Sequence, residues 1–238
     1  MFIVLAFGEQ CIIVTSHVCE HRDDRRNVLQ VDIGNLSPSD QYKLISSTVV
    51  PRPIALITTR SDSGNHNAAP FSFFNAMGEN PPVLVVALEN KRDTGGLKDT
   101  TVNILQNGQF VVHMVDEPMA EAMNVCAIDF PNGINEIEEA GLTWAPSSCV
   151  RPYRIAEAPV AFECERLELI QVGPGRHIVI GKIVMMHVRD GLLDPVTYYI
   201  DTDQYRPVGR MFGRLYVRTS DHFELVVPPY EEWRRKSS

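Results

Sequence analysis

Short apolar runs separated by turn residues make up most of the chain, and few of them are long enough for an ordinary helix. Leu36-Ser37-Pro38-Ser39-Asp40 predicts a short helix capped by Ser37 or Ser39 and running through Leu44 and Ile45. Pro51-Arg52-Pro53 forces an extended backbone, and the β-branched run Ile54 to Thr59 predicts a strand. Ser61 to Asn65 is turn chemistry, so Asn67 to Phe74 is expected back as the second arm of a hairpin. The continuous apolar run Pro82 to Leu88 predicts a strand buried on both faces. Lys98 to Leu105 reads as a helix capped by Asp99 and ended by Asn107-Gly108, followed by a strand from Phe110 to Val115. Two more helices are expected, from Pro118 to Ala127 with proline at the first position, and from Ile134 to Ala140 with Gly141 at its end.

The later half is strand-dominated. Val160, Phe162 and Cys164 alternate with Ala161, Glu163 and Glu165, which predicts one buried and one wet face. Gly173-Pro174-Gly175 turns the chain into a long arm from His177 to Val188 that closes at Asp190-Gly191. Leu215-Tyr216-Val217 and Phe223 to Val227 are expected as the last strands. About seven or eight strands in hairpins, without regular strand–helix alternation, argue for a mainly β fold, an antiparallel barrel rather than a Rossmann sheet. The expected organisation is an extension over 1–35, one domain over 36–230 and a short tail over 231–238.

Composition narrows the function. The 238 residues are 44% hydrophobic and 22% charged, which excludes a disordered chain or a disulfide-stapled miniature. Lys and Arg number 22 against 30 Asp and Glu, a formal charge of −8 that argues against nucleic acid or an anionic membrane as partner. An anionic ligand therefore needs a local basic site. Phe2 to Phe7 is apolar but is interrupted by Glu9 and Gln10, far short of the roughly 20 residues that span a bilayer. Five scattered cysteines with no Cys-x-x-Cys point to a reducing, cytoplasmic setting. His17, Cys19 and His21, with Cys11 upstream, match no standard zinc spacing, so no metal is expected.

Three segments carry candidate chemistry: a cation leading into a strand that ends in paired hydroxyls (Arg52, Thr58, Thr59), small residues followed by aromatics (Asn67 to Asn75), and Lys98-Asp99-Thr100 at a helix start. A helix N-terminus offers free N–H groups and partial positive charge, so a phosphate fits there, with Lys98 adding charge and the three threonines donating. Taken singly, each has an ordinary explanation: threonine is common in strands, phenylalanine in cores, and a lone lysine is usually solvated. His113, His177 and His187 are candidate proton donors, although a buried hydrogen-bonded histidine is the commoner case. No nucleophile–base triad and no dinucleotide or Walker glycine motif is visible.

In order, Pro-Arg-Pro-Ile-Ala from Pro51, Thr58-Thr59, Asn-x-Ala-Pro-Phe-Ser-Phe-Phe from Asn67, Lys-Asp-Thr-x-x-Asn-Ile from Lys98 and a following Phe-Val-Val strand resemble the flavin reductase-like family, whose domain is a Greek-key, FMN-binding split β-barrel with a few peripheral helices. The resemblance runs from about Tyr42 to Val227. It implies that Thr58 and Thr59 contact the FMN phosphate and ribityl chain, that Arg52, Lys98, Asp99 and Thr100 complete the phosphate site next to Pro53 and Ile54, and that Ala69, Pro70, Phe71, Ser72 and Phe73 face the isoalloxazine ring. It also implies a homodimer with the flavin near the subunit interface, closed by Arg210 or Tyr216 of the same or the opposite subunit. His113 stands where the family often has asparagine, and Phe212-Gly213 where a Gly-Gly pair is common, changes that bear on the nicotinamide or substrate pocket. The implied activity is hydride transfer from NADH or NADPH to flavin, with electrons passed to a partner monooxygenase or another acceptor. A non-catalytic flavin carrier on the same barrel, or a barrel that binds haem instead, are the rival readings.

Overall fold

The computed structural model describes residues 6–7, 10–11, 29–91, 93–131 and 134–236. The chain divides between Val50 and Pro51 into two compact units. In the first, β1 (Ala6–Phe7) pairs with β2 (Gln10–Cys11), and α1 (Pro38–Thr48) follows a 3-10 turn at Ile33–Asn35. Ser37 caps α1 by accepting the Asp40 N–H at 3.2 Å, and Pro38 occupies the first turn, where a missing N–H costs nothing. His17, Cys19 and His21, and most of the expected extension, lie outside the described residues.

The second unit holds β3 (Arg52–Pro53), β4 (Ala55–Arg60), β5 (His66–Phe71), β6 (Phe74–Glu79), β7 (Pro82–Glu89), α2 (Asp99–Asn107), β8 (Gln109–Met114), α3 (Ala120–Val125), α4 (Glu136–Glu139), β9 (Trp144–Ala145), β10 (Arg154–Ile155), β11 (Val160–Gln171), β12 (Arg176–Val188), β13 (Val208–Arg210), β14 (Tyr216–Arg218) and α5 (Tyr230–Lys236). Seven strands form one antiparallel sheet in the order β5-β4-β8-β11-β12-β7-β6. Its two edge strands, β5 and β6, are joined by only Ser72 and Phe73, so the sheet must curl until its edges nearly meet. The Ala87 N–H donates to the Phe73 carbonyl at 2.8 Å, which carries the β6–β7 pairing into that link. The result is an antiparallel split barrel, mainly β, with few helices.

The interior is filled by alternate residues of the wall, among them Ile57, Leu88, Phe110, Cys164 and Val179, and Ile104 of α2 joins them with no exposed surface. Leu56 and Ile54 face the other way, into a second cluster with Met119, Met123, Ile137 and Ile155. β4 is therefore the strand buried on both faces. β7, for which that was expected, alternates instead: Leu84, Val86 and Leu88 are buried, and the residues between them are only partly so.

Other expectations change in detail. The arm expected from Asn67 to Phe74 breaks at Ser72-Phe73 and continues as β6, because the link has to turn the chain from one sheet edge to the other. Asp99 is the first residue of α2 rather than its cap; Lys98 holds the cap position and makes no side-chain cap bond. Pro118 lies in a turn and α3 starts at Ala120, two residues later than expected. Phe223 to Val227 forms no strand: it is exposed and pairs with no strand among the described residues. α5 begins at Tyr230, the last residue of the expected domain, and takes up most of the expected tail.

Candidate functional site

Two of the three candidate segments come together. β5 contributes Asn67, Ala68, Ala69 and Pro70, and the start of α2 contributes Lys98, Asp99 and Thr100, to a cleft of about 630 Å³ beside the seam of the barrel. Glu89 at the end of β7 and Glu136 of α4 complete its walls with the loop from Cys126 to Pro131. β5 is an edge strand, and along this stretch it carries nothing larger than an alanine or proline after Asn67, so a flat ligand can approach its backbone closely. The Ala68 N–H points outward and donates weakly to Glu136 Oε2 at 3.4 Å.

The first bond within α2 runs from the Val102 N–H to the Lys98 carbonyl, which leaves the amides of the preceding turn without intrahelical partners. No side chain caps them. Lys98 Nζ stands 3.4 Å from Glu89 Oε1 and 6.0 Å from the centre of the Phe71 ring. Thr100 is buried, and its Oγ1 accepts from Asn67 Nδ2 at 2.9 Å, which ties β5 to the helix start. Asp99 carries its own counter-ion, Lys91, at 3.2 Å.

The paired threonines do not act together. Adjacent strand residues point to opposite faces. Thr59 faces α2, where its Oγ1 accepts from Asn103 Nδ2 at 2.9 Å. Thr58 faces away and donates to the Tyr153 carbonyl at 2.6 Å with no exposed surface, so it does not share the cleft with Lys98. Ile54 is likewise buried in the second apolar cluster, and Pro53 pairs with Gly209 in the small sheet β14-β13-β3.

Arg52 and Arg210 lie outside the Lys98 cleft. Arg52 is only 6% exposed; it donates to Ser72 Oγ at 3.4 Å and to the Met211 carbonyl at 3.1 Å, and it lies over the Phe73 ring at 5.6 Å. It therefore bolts the seam link to the small sheet. Arg210 stacks on Tyr216 at 4.6 Å and lines a separate cleft of about 580 Å³ with Arg214, Arg218 and α3. Arg176 was not among the sequence candidates. It covers Phe73 at 4.9 Å and approaches Glu89 at 3.9 Å, so Lys98, Glu89, Arg176, Phe73 and Arg52 form a chain of contacts with two more cations than anions. Only the β12–β7 register, which sets Arg176 opposite Glu89, reveals this.

Burial, reinforced by the charge of Asp99, raises the Glu136 carboxyl above its ordinary range against two opposing backbone hydrogen bonds. The buried Cys126 thiol beside it is pushed up to about 12, first by burial and then by Glu136, which makes it a poor nucleophile. His113 is fully buried: Nδ1–H donates to the Leu56 carbonyl at 2.8 Å and Nε2 accepts the Ile155 N–H at 2.9 Å. Burial brings it down to about 4, against the Leu56 hydrogen bond and helped by Arg154 and His187, so it is a neutral structural pin and not a proton donor. His187 is engaged with Glu163, and neither it nor His177 lines the cleft.

An antiparallel split barrel with a cleft at its seam, floored by small residues and edged by a helix start, defines the class of protein. A family model described as flavin reductase like domain matches residues 46–209, and the chain belongs to that family. Among solved structures, the 2-nitrobenzoate 2-nitroreductase NbaA of Pseudomonas fluorescens is 40% identical, with a TM-score of 0.77 over 84% of this chain and 97% of that one. Nitrilotriacetate monooxygenase component B of Bacillus cereus is 32% identical, with a TM-score of 0.79 over 84% and 100%. An uncharacterized protein of Aquifex aeolicus is 41% identical over 186 residues, 78% of this chain and 93% of its own.

Proposed function

We propose that this chain binds FMN in the seam cleft and works as a homodimeric oxidoreductase that takes hydride from NADH or NADPH. Electrons then pass to a partner monooxygenase or to a small acceptor in place. The observation that carries the reading is the meeting of Ala68–Pro70 with the uncapped start of α2 in one cleft beside Lys98. Membership of a flavin-linked oxidoreductase family supports it, as do the two neighbours whose names are those of a nitroreductase and a monooxygenase component.

The donor set fits the coenzyme. A phosphate needs N–H donors and a cation, and the first-turn amides of α2 with Lys98 and Thr100 supply both. The Lys98–Glu89 pair is loose enough for Lys98 to turn to a stronger anion, with Arg176 left to balance Glu89. The backbone from Ala69 to Phe73, with Ser72 held by Arg52, is the surface for the ring system. Thr59 acts through Asn103, as a brace for α2, and Thr58 has no part. Bound FMN supplies the hydride and electron chemistry; the protein positions it and sets its electrostatics. An adjoining cleft of about 700 Å³ shares Asn67, Asp99 and Glu136 and adds Asn65, Asn103, Gln106 and Asn135, amides suited to the hydroxyl-rich nicotinamide donor.

The test is anaerobic mixing of the purified yellow protein with NADH and, separately, NADPH. Rapid bleaching by either supports the oxidoreductase. Tight flavin that neither nucleotide reduces means a carrier, and failure to bind flavin overturns the assignment.

A further inference from the structure

The proposed function leaves the cleft beside the small sheet without an occupant. That cleft holds about 580 Å³, a size suited to a small molecule, and shares no lining residue with the seam cleft. Its floor is the β13–β14 hairpin. The register sets Arg210 opposite Tyr216 and Val208 opposite Arg218, so these four side chains share one face. The facing wall is α3 with the turn before it, where Glu117, Ala120, Glu121 and Asn124 fall three and four residues apart and so lie together.

Three arginines enter this space in a chain whose formal charge is −8. They stand four apart, at 210, 214 and 218, in a stretch with no acidic residue. Each is held differently. Arg210 is engaged: it donates to the Gly213 and Leu215 carbonyls and lies on the Tyr216 ring at 4.6 Å. Arg218 Nε donates to Glu117 Oε1. Arg214 has no hydrogen bond or ion pair among the described residues. Its turn is nonetheless fixed, because the Met211 N–H donates to the Leu215 carbonyl at 3.0 Å and the Leu215 N–H to the Phe212 carbonyl at 3.1 Å. A guanidinium that lines a cleft from a held turn, with its fork unengaged, is prepared to receive an anion.

The remaining groups choose the anion. Three arginines against Glu117 and Glu121 leave the cleft one positive charge, which one carboxylate balances and a phosphate dianion exceeds. A guanidinium fork meets a carboxylate in plane with two parallel bonds. The Arg210–Tyr216 stack is a flat surface, and Val208, Ala120 and Val217 add apolar walls, which suit a ring. We infer that this cleft binds an aromatic carboxylate of one or two rings, with its carboxylate on Arg214 and its ring against the Arg210–Tyr216 pair. The site goes beyond the proposed function and stands whether or not the seam cleft holds FMN.

Isothermal titration of the full-length protein with 2-naphthoate tests this, with the neutral isostere 2-naphthamide alongside. Naphthoate is expected to bind, and naphthamide about 10-fold or more weaker. Arg214→Ala should weaken naphthoate about 10-fold or more while naphthamide affinity and the melting temperature stay as they were. Arg214→Lys should recover only part of that loss, since an ammonium has no fork. Glu121→Gln should tighten naphthoate a few-fold, because it removes an opposing carboxylate. FMN should not compete with naphthoate, and flavin absorbance on the same samples reports on the seam cleft separately. No binding of naphthoate, equal affinity for naphthamide, an unchanged affinity in Arg214→Ala, displacement by an equal concentration of inorganic phosphate, or competition by FMN overturns the inference.

Discussion

Glu163→Gln tests how a carboxylate can be fully enclosed in the wall of this barrel. Glu163 is 0% exposed. Oε1 accepts the Ser148 N–H at 2.6 Å and meets His187 Nε2 at 2.5 Å; Oε2 accepts the Cys149 and Val150 N–H groups at 2.6 and 3.0 Å. Burial alone would raise this carboxyl, but the donors outweigh it and hold Glu163 below its usual range. Glutamine keeps the shape and loses the charge. Its amide nitrogen does least harm in the Oε1 position, where His187 can offer a lone pair, and there the Ser148 N–H is left facing another donor. One stranded donor costs about 1–3 kcal/mol, and the change of two charge-assisted bonds to neutral ones adds about 1 kcal/mol each. The expected loss is about 3–5 kcal/mol at pH 7, read by urea denaturation with the m-value unchanged.

The pH dependence sharpens the test. A carboxyl depressed in the folded state contributes stability that is present above its unfolded value, about 4.3, and lost as pH falls through the folded value. The gap between wild type and Glu163→Gln should therefore be full from pH 6 to 8 and shrink below about pH 4.3. A loss under about 1 kcal/mol, or a gap that does not narrow in acid, refutes the role given to the carboxylate.

Three further expectations follow from the same structure. His113, at about 4 when folded, should bind a proton in the unfolded chain first, so stability should rise with pH from about 4 to 6.5 by about 3 kcal/mol and then level; NMR titration that protonates the folded imidazole near pH 6.5 would contradict this. Lys98→Ala should weaken FMN about 10- to 100-fold by fluorescence titration with little change in melting temperature, because its pair with Glu89 is partly exposed. Gly181→Ala should cost about 1–3 kcal/mol in thermal unfolding, since a Cβ there enters the space of the buried Phe110 ring; an unchanged melting temperature would mean that the ring moves freely.

What the sequence discloses, and what it withholds, divides along a physical line. Local patterns found β4, β8, β11 and β12 because alternation and β-branching are written in neighbouring residues. They misjudged Glu163, whose polar character predicts a wet face; the loop Ser147–Val150 covers that face with three N–H groups, and nothing near Glu163 in the sequence announces the loop. The site divides the same way. Asn67–Pro70 and Lys98–Thr100 were legible as motifs, and they do share a cleft. Thr58 was read with Thr59 because the two are adjacent, although adjacency on a strand sends them to opposite faces. Arg176 was invisible because its meaning is its cross-strand register with Glu89. Phe223–Val227 is the reverse case: its pattern is that of a strand, yet no strand among the described residues runs beside it, and pairing of that kind is set by tertiary placement rather than by neighbouring residues.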